Sequence, residues 1–114
     1  KAMFHSDGNL NAIMDGLVGA GIDLLNPIQW RCRGMDRVQL ARDFGKQLVF
    51  HGGMDNQQTL PFGTPEDVRA EVRDLVETLG CDGTGFIIGP CHNLQAVSPP
   101  ENVAAFVQAA RSGV

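Results

Sequence analysis

Residues 47–80 read QLVFHGGMDNQQTLPFGTPEDVRAEVRDLVETLG, and this stretch contains one complete strand, loop and helix. The short apolar run 47–50, which precedes two glycines, predicts a strand. Thr64 and Pro65 predict the start of a helix, because threonine caps a first turn and proline suits the first helical position. Apolar residues then recur at spacings of three and four, at Val68, Val72, Leu75, Val76 and Leu79, which predicts one buried helical face.

The same alternation of a short apolar run and an amphipathic stretch occurs four times in the chain. The other strands are predicted at 2–4, 22–25 and 85–88. The apolar face of the first helix consists of Leu10, Ile13, Met14, Leu17 and Val18; the second helix covers about 36–44; the last begins with Ser98 as its cap and buries Val103, Phe106, Val107 and Ala110. Repeated alternation of strand and helix predicts an α/β protein with a parallel sheet.

The units follow one another without a linker, which favours a continuous wall of a (β/α)8, or TIM, barrel. We expect residues 1–114 to be one partial domain that contains four βα units. Four units cannot close a barrel, and the edges of an open sheet are prone to association. We therefore expect a missing N-terminal half upstream, so that the chain is a fragment, the C-terminal half of the barrel.

The composition argues against several classes of protein. The formal net charge is −4, with 9 Lys and Arg against 13 Asp and Glu, which gives no basic surface for nucleic acid. No apolar run approaches the roughly 18 residues of a membrane span. The cysteines Cys32, Cys81 and Cys91 are odd in number and lack CxxC spacing, which argues against a disulfide framework. We expect a cytoplasmic protein that binds neither nucleic acid nor membrane.

Polar residues cluster where the predicted strands end, and the catalytic groups of TIM barrels stand at these carboxyl ends. The set comprises His5, Ser6, Asp7, Asn26, Gln29, His51, Asp55, Asn56, Gln57, Cys91, His92, Asn93 and Gln95. A single histidine at a strand end is usually a hydrogen-bonding loop residue. All three histidines of the chain occur in this set, which predicts a functional site.

We expect His92, His51 and Asp55 to be catalytic, since imidazole and carboxyl groups transfer protons near neutral pH. The side-chain amides beside them predict substrate-binding contacts; these are Gln29, Gln57, Asn93 and Gln95. Asp55 has an alternative role in an Asx turn, in which its side chain hydrogen-bonds the following backbone. Arg31 and Arg33 are either cations for ligand carboxylates or ordinary solvated charges.

A metal site is a second hypothesis for the same residues. His5 and Asp7 stand two positions apart at a strand end, and with His92 they would supply three ligands to zinc or iron. Asp7 alternatively caps the first helix. Cys91 is either a thiolate ligand or a small buried thiol, because adjacent residues on extended backbone point in opposite directions.

Five segments resemble a known family in their order and spacing. They are FHSDGN (4–9), GIDLLNPIQ (21–29), FHGGMD (50–55), PCHNLQ (90–95) and PENV (100–103). Across almost the whole chain they resemble the uroporphyrinogen decarboxylase (URO-D) family. The resemblance implies a single (β/α)8 barrel longer than this chain, and a family that includes the haem-pathway decarboxylase and corrinoid-linked methyltransferases.

The resemblance also implies roles for individual residues. His92 matches the histidine of a Gly-His-Gly segment that lines the porphyrinogen pocket of the decarboxylase, where the methyltransferases have a zinc-binding cysteine. His5 resembles the first ligand of the methyltransferases' His-x-Cys-Gly zinc motif. Asp7 occupies the place of that cysteine, while Cys91 and Asn93 replace the two glycines. The chain is therefore similar to a divergent branch of the family.

Several functions remain as alternatives. The resemblance implies either a lyase that decarboxylates a tetrapyrrole in porphyrin biosynthesis or a corrinoid-dependent methyltransferase with zinc, whose corrinoid is carried on a corrinoid protein. A metal-dependent TIM-barrel hydrolase would use the same residues on a bound water. The last alternative is an inactive fragment that needs its N-terminal half. We expect a homodimer for the full-length protein.

Overall fold

The computed structural model describes residues 1–113, in which parallel strands alternate with helices. The strands are β1 (Met3–His5), β2 (Leu24–Asn26), β3 (Val49–Met54) and β4 (Phe86–Pro90). The helices are α1 (Met14–Gly19), preceded by a 3-10 turn at Asn11–Ile13, α2 (Arg37–Phe44), α3 (Thr59–Phe62), α4 (Pro65–Leu79) and α5 (Pro100–Ser112). Within residues 1–113 no helix is both long and apolar enough to cross a membrane.

The four strands form one parallel sheet in the order β1-β2-β3-β4. His5 on β1 is the register partner of Asn26 on β2, and His51 on β3 is the partner of Ile87 on β4. A strand order that follows the chain is that of a barrel wall, because each strand is added beside the previous one. The predicted α/β class with four βα units is confirmed.

The hydrophobic core lies between one face of the sheet and the helices. Leu25 and Phe50, which are register partners on β2 and β3, are 0% and 1% exposed. α4 contacts β3 with its predicted apolar face, in which Val68, Val72 and Leu75 are fully buried. Burial of such a side chain stabilises the fold by about 1.5–3 kcal/mol. This packing fixes β3 against α4.

The opposite face of the sheet is open. Side chains alternate between the two faces along a strand, so the neighbours of core residues project away from the helices. Met3 on β1 and Ile87 on β4 are 61% and 48% exposed. Leu24 and Val49 between them are half-buried. In a TIM barrel this face of the wall lines the interior.

β3 is longer than the sequence predicted, whereas the other strands begin and end within two residues of their predicted limits. The prediction ended β3 at Phe50, where the apolar run gives way to His51 and two glycines. Instead β3 runs to Met54 in register with β4, with Gly52 and Gly53 at φ of +100° and +103°. Residues with a Cβ rarely adopt these angles, so the glycines allow the strand to continue. His51 therefore lies within the strand.

Two details of the helix predictions are wrong. Ser98 does not cap α5: Pro99 occupies the N-cap position, and the Ser98 hydroxyl is buried with no hydrogen-bond partner among the described residues. Ile13 and Val107, which were predicted to face inward, are 50% and 46% exposed. The first helix begins as a 3-10 turn, which places Ile13 outside the α-helical face.

The short helix α3 was not predicted, and a polar contact holds it. Asn102 on α5 is 1% exposed, and its Nδ2 atom donates to the backbone oxygens of Leu60 at 2.9 Å and Gly63 at 2.8 Å. Both donors of this buried amide are thereby satisfied. The contact fastens α3 to the last helix.

Candidate active site

The three histidines line one cavity at the carboxyl ends of the strands. His5 is the last residue of β1, His51 lies within β3, and His92 follows β4 by two positions. The cavity has a volume of about 470 Å³, and we call it the histidine cavity. Its lining consists of His5, Asn26, His51, Pro90, Cys91, His92, Asn93 and Leu94. The parallel sheet brings these side chains together although they are far apart in the chain.

A second cavity adjoins the first at His92. It has a volume of about 270 Å³ and is lined by Asp7, Gln29, Asn56, Gln57, His92 and Gln95, and we call it the amide cavity. Three of the four predicted substrate-binding residues line the amide cavity, and the fourth, Asn93, lines the histidine cavity. His92 lines both. A ligand that filled both cavities would therefore contact the imidazole of His92.

Cys91 anchors the segment that presents His92. Its backbone N–H donates to the carbonyl oxygen of Met54 at 2.8 Å, and its thiol donates to the carbonyl oxygen of Ile28 at 3.3 Å. Burial raises the pKa of the Cys91 thiol to about 12. The side chain is 5% exposed, which agrees with the alternative that Cys91 is a small buried thiol. Its neighbour His92 is exposed.

Asn26 connects His5 and His51 across the sheet. Its Oδ1 atom lies 2.7 Å from Nδ1 of His5, and its Nδ2 atom donates to the backbone oxygen of His51 at 3.2 Å. The contact follows from the register, in which His5 and Asn26 are partners. Side chains of partner residues project to the same face of a sheet. A hydrogen-bonded row, which runs from His5 through Asn26 to the backbone of His51, thus crosses three strands. All three residues line the histidine cavity.

Asp55 does not line the histidine cavity, and it holds the loop that follows β3. Its carboxylate accepts hydrogen bonds from the backbone N–H groups of Gln57 at 3.0 Å, Gln58 at 3.1 Å and Thr59 at 3.0 Å. It also accepts from Nε of Arg31 at 2.6 Å. These contacts are those of the Asx-turn alternative. The predicted catalytic role of Asp55 stays a prediction.

Glu71 is a carboxylate that the sequence predictions missed. It lies on α4, is 7% exposed, and accepts hydrogen bonds from the backbone N–H of Asp55 at 2.6 Å and from the hydroxyl of Thr59. Burial raises the pKa of Glu71, and these hydrogen bonds and the nearby Arg31 guanidinium oppose that rise. The sequence carried one signal: Glu71 stands between Val68 and Val72, within the apolar face of α4.

Arg31 forms ion pairs with carboxylates of the protein itself. Its guanidinium pairs with Asp55 at 2.6 Å and lies 4.0 Å from Glu71, and it stacks 4.6 Å from the ring centroid of Trp30. Its side chain is still 45% exposed. Arg31 therefore links the loop after β2 to the loop after β3, and through Glu71 to α4.

The predicted metal ligands do not stand together as a preformed group. His5 lines the histidine cavity and Asp7 lines the amide cavity. Within residues 1–113 no three His, Cys, Asp or Glu side chains are placed to hold a metal ion. These donors are not preassembled around one point among the described residues, and the ligand set His5, Asp7 and His92 stays a prediction. The alternative that Asp7 caps the first helix is wrong, since neither the 3-10 turn nor α1 has a side-chain cap.

Comparison with known proteins supports the resemblance found in the sequence. The family model described as uroporphyrinogen decarboxylase (URO-D) matches residues 1–113. The chain is similar to the uroporphyrinogen decarboxylase of Aliivibrio salmonicida, with 34% identity over 96 residues, which are 84% of this chain and 25% of that protein. It is also similar to the uroporphyrinogen decarboxylase of Ralstonia nicotianae, with 30% identity over 97 residues, which are 82% of this chain and 25% of that protein.

A third relative is the uroporphyrinogen decarboxylase of Dechloromonas aromatica, with 30% identity over 78 residues, which are 68% of this chain and 21% of that protein. The chain spans about a quarter of the length of the first two of these curated relatives. The family match nevertheless extends over nearly all of this chain, from β1 to the end of α5. The chain belongs to the uroporphyrinogen decarboxylase (URO-D) family.

Proposed function

We propose that the chain contributes part of the substrate pocket of a lyase that removes carboxyl groups from a tetrapyrrole. The observation that carries the proposal is the pair of adjoining cavities that share His92. The relatives in the comparison are named uroporphyrinogen decarboxylases, which favours a uroporphyrinogen-like substrate. A large flat ligand with several carboxyl groups needs an extended pocket with many hydrogen-bonding side chains.

Decarboxylation needs a proton as well as a pocket. The bond between the carboxyl carbon and the side-chain carbon breaks, CO2 leaves, and a proton is added to the carbon that keeps the electron pair. His92 is exposed in both cavities and belongs to the residue type that most often transfers protons near neutral pH. We assign His92 the role of holding or moving this proton.

The amides orient the ligand in this proposal. Gln57, Asn93 and Gln95 are exposed, and a side-chain amide carries two donors and one acceptor oxygen. Nε2 of Gln95 uses one donor on the backbone oxygen of Asn93 at 3.2 Å. They suit both carboxylate oxygens and pyrrole N–H groups of a tetrapyrrole. Gln29 is less free, because its Oε1 atom accepts a hydrogen bond from the backbone N–H of Gly8 at 2.5 Å. The Nε2 group of Gln29 is therefore oriented by that contact, which also ties Gln29 to the loop after β1.

The proposal is tested by incubating the intact protein with uroporphyrinogen and counting the carboxyl groups of the products by mass spectrometry. Stepwise loss of CO2 is expected. Metal analysis of the same preparation distinguishes the corrinoid-dependent methyltransferase and the hydrolase. Stoichiometric zinc that is lost in both His5→Ala and His92→Ala, with no decarboxylation, would favour those alternatives and contradict the proposal.

A further inference from the structure

The hydrogen-bonded row of His5, Asn26 and His51 determines the orientation of the Asn26 amide as well as the position of His5. The Asn26 amide lies between two groups of different character, the Nδ1 atom of His5 at 2.7 Å and the backbone carbonyl of His51 at 3.2 Å. A carbonyl oxygen only accepts hydrogen bonds. The Asn26 atom that faces His51 must therefore be the NH2 group, and the atom that faces His5 must be the oxygen.

The opposite orientation of the amide is unfavourable. Rotation by half a turn would place Oδ1 of Asn26 against the carbonyl oxygen of His51, where two acceptors would meet without a hydrogen between them. The surroundings therefore define one orientation of Asn26.

The orientation of Asn26 determines which nitrogen of His5 carries a hydrogen. A neutral imidazole has one N–H donor and one acceptor nitrogen. Because the asparagine oxygen accepts, Nδ1 of His5 must donate, and the lone pair is left on Nε2. Hydrogen bonds to one ring nitrogen commonly set the role of the other in this way. His5 lines the histidine cavity, where Nε2 is the nitrogen left for a ligand.

We infer that Asn26 is a positioning residue that holds His5 in the Nδ1–H tautomer, so that Nε2 accepts a hydrogen bond from a ligand N–H or O–H group in the histidine cavity. Asn26 acts through His5 and need not touch the ligand. The inference rests on the geometry of Asn26, His5 and His51 and is independent of the decarboxylase activity. Failure of the decarboxylation assay would leave it intact.

The test is NMR spectroscopy of the ¹⁵N-labelled intact protein, in which long-range ¹H–¹⁵N correlations distinguish the two tautomers of a neutral histidine. The chain has 3 histidines, so the disappearance of one signal set in His5→Gln assigns that residue. The wild type is expected to show Nδ1–H for His5. Asn26→Ala removes the hydrogen bond that favours Nδ1–H. The ratio of the Nε2–H tautomer to the Nδ1–H tautomer should therefore rise by about fivefold or more, which is the effect of losing one net hydrogen bond.

Two further variants make the test specific. Asn26→Asp keeps an acceptor oxygen beside Nδ1, so the Nδ1–H tautomer should persist. Asn11→Ala removes an exposed asparagine outside the row and should change nothing at His5. An Nε2–H tautomer in the wild type would overturn the inference, and so would a ratio that Asn26→Ala leaves unchanged. If Asn26→Ala does not fold, the wild type and Asn26→Asp still decide between the two tautomers.

Discussion

His92 lies two residues beyond β4 and lines both the histidine cavity and the amide cavity. Its neighbour Cys91 is fixed by hydrogen bonds to Met54 and Ile28, so the backbone is anchored at the residue that precedes the imidazole. An exposed imidazole beside an anchored residue is suited to proton transfer. This placement makes His92 the first residue to vary.

Replacement of His92 by glutamine is expected to lower turnover more than substrate affinity. Glutamine keeps a hydrogen-bonding group of similar size but cannot transfer a proton, and general acid–base catalysis contributes about 10²- to 10⁴-fold. Steady-state measurement of uroporphyrinogen decarboxylation should show a fall in kcat of about this size with a smaller change in KM. Gln108→Ala on the exposed face of α5 is the control. Equal kcat in His92→Gln and the wild type would contradict the role.

Glu71 makes a second prediction, which concerns the pH dependence of stability. Burial raises the pKa of Glu71 above its ordinary value of 4.5. The folded state thus keeps this proton to a higher pH than the unfolded state does. Its contribution to stability is complete below about 4.5 and is lost as the pH rises through the raised pKa. Glu71→Gln should remove this loss, so the variant gains stability relative to the wild type as the pH rises.

Urea unfolding at a series of pH values from acid to neutral measures how Glu71 affects the free energy of unfolding. Glu77→Gln is a matched control, because it removes the same charge from an exposed position on the same helix. The control should leave the pH dependence of the free energy of unfolding close to that of the wild type. Parallel curves for Glu71→Gln and the wild type would show that burial of Glu71 does not shift its titration.

The residues of the site differ in how far the sequence could predict them. The three histidines were predicted to lie at strand ends because short apolar runs mark the strands, and the structure places all three around one cavity. The contact between Arg31 and Asp55 joins residues 24 positions apart. No local pattern specifies such a pair. The orientation of Asn26 is likewise visible only when β1, β2 and β3 are aligned.

α4 and α5 show why a capping sequence predicts one helix start and fails for another. Thr64 forms a capping box with Asp67: its hydroxyl accepts from the Asp67 N–H at 3.2 Å, and its own N–H donates to Oδ2 of Asp67 at 2.8 Å. Ser98 stands in a similar sequence, but Pro99 takes the N-cap position of α5. With two prolines in succession, the start of the helix moves one residue beyond the serine.

Alanine substitution at Thr64 and at Ser98 should distinguish a residue that caps its helix from one that only stands in a capping sequence. Thr64→Ala removes the accepting hydroxyl and is expected to cost about 1 kcal/mol of unfolding free energy. Ser98→Ala removes a buried hydroxyl that has no partner among the described residues, so it should be neutral or slightly stabilising. Urea unfolding of both variants measures the difference. A larger loss for Ser98→Ala than for Thr64→Ala would contradict the assigned caps.

At the scale of the strands, hydrophobic runs predicted all four but not the length of β3. The run ends at Phe50, yet β3 continues for four residues, from His51 to Met54, because Gly52 and Gly53 adopt positive φ values without leaving the register. A glycine can end a strand, or it can lie within a strand where another part of the protein approaches the backbone closely. Only the pairing with β4 distinguishes them, and that pairing is a long-range property.

The whole molecule has one face of its sheet packed by helices and one face open. Met3 and Ile87 project from the open face and are 61% and 48% exposed, with half-buried Leu24 and Val49 between them. Exposed apolar surface of this kind promotes association, because burial removes it from water. In the barrel of the family this face is interior. The 114-residue chain expressed alone is therefore expected to self-associate through it.

Charge on the open face should reduce that association. The double variant Met3→Lys and Ile87→Lys places two charges where copies of the chain would meet, and sedimentation velocity should show a shift toward monomer. Val38 on α2 and Val107 on α5 are 61% and 46% exposed, which closely matches Met3 and Ile87, but they lie on the helical side. The double variant Val38→Lys and Val107→Lys adds the same charge and should associate as the unmodified chain does. A purely monomeric unmodified chain would contradict the predicted association. Equal effects of both double variants would show that the open face does not drive it.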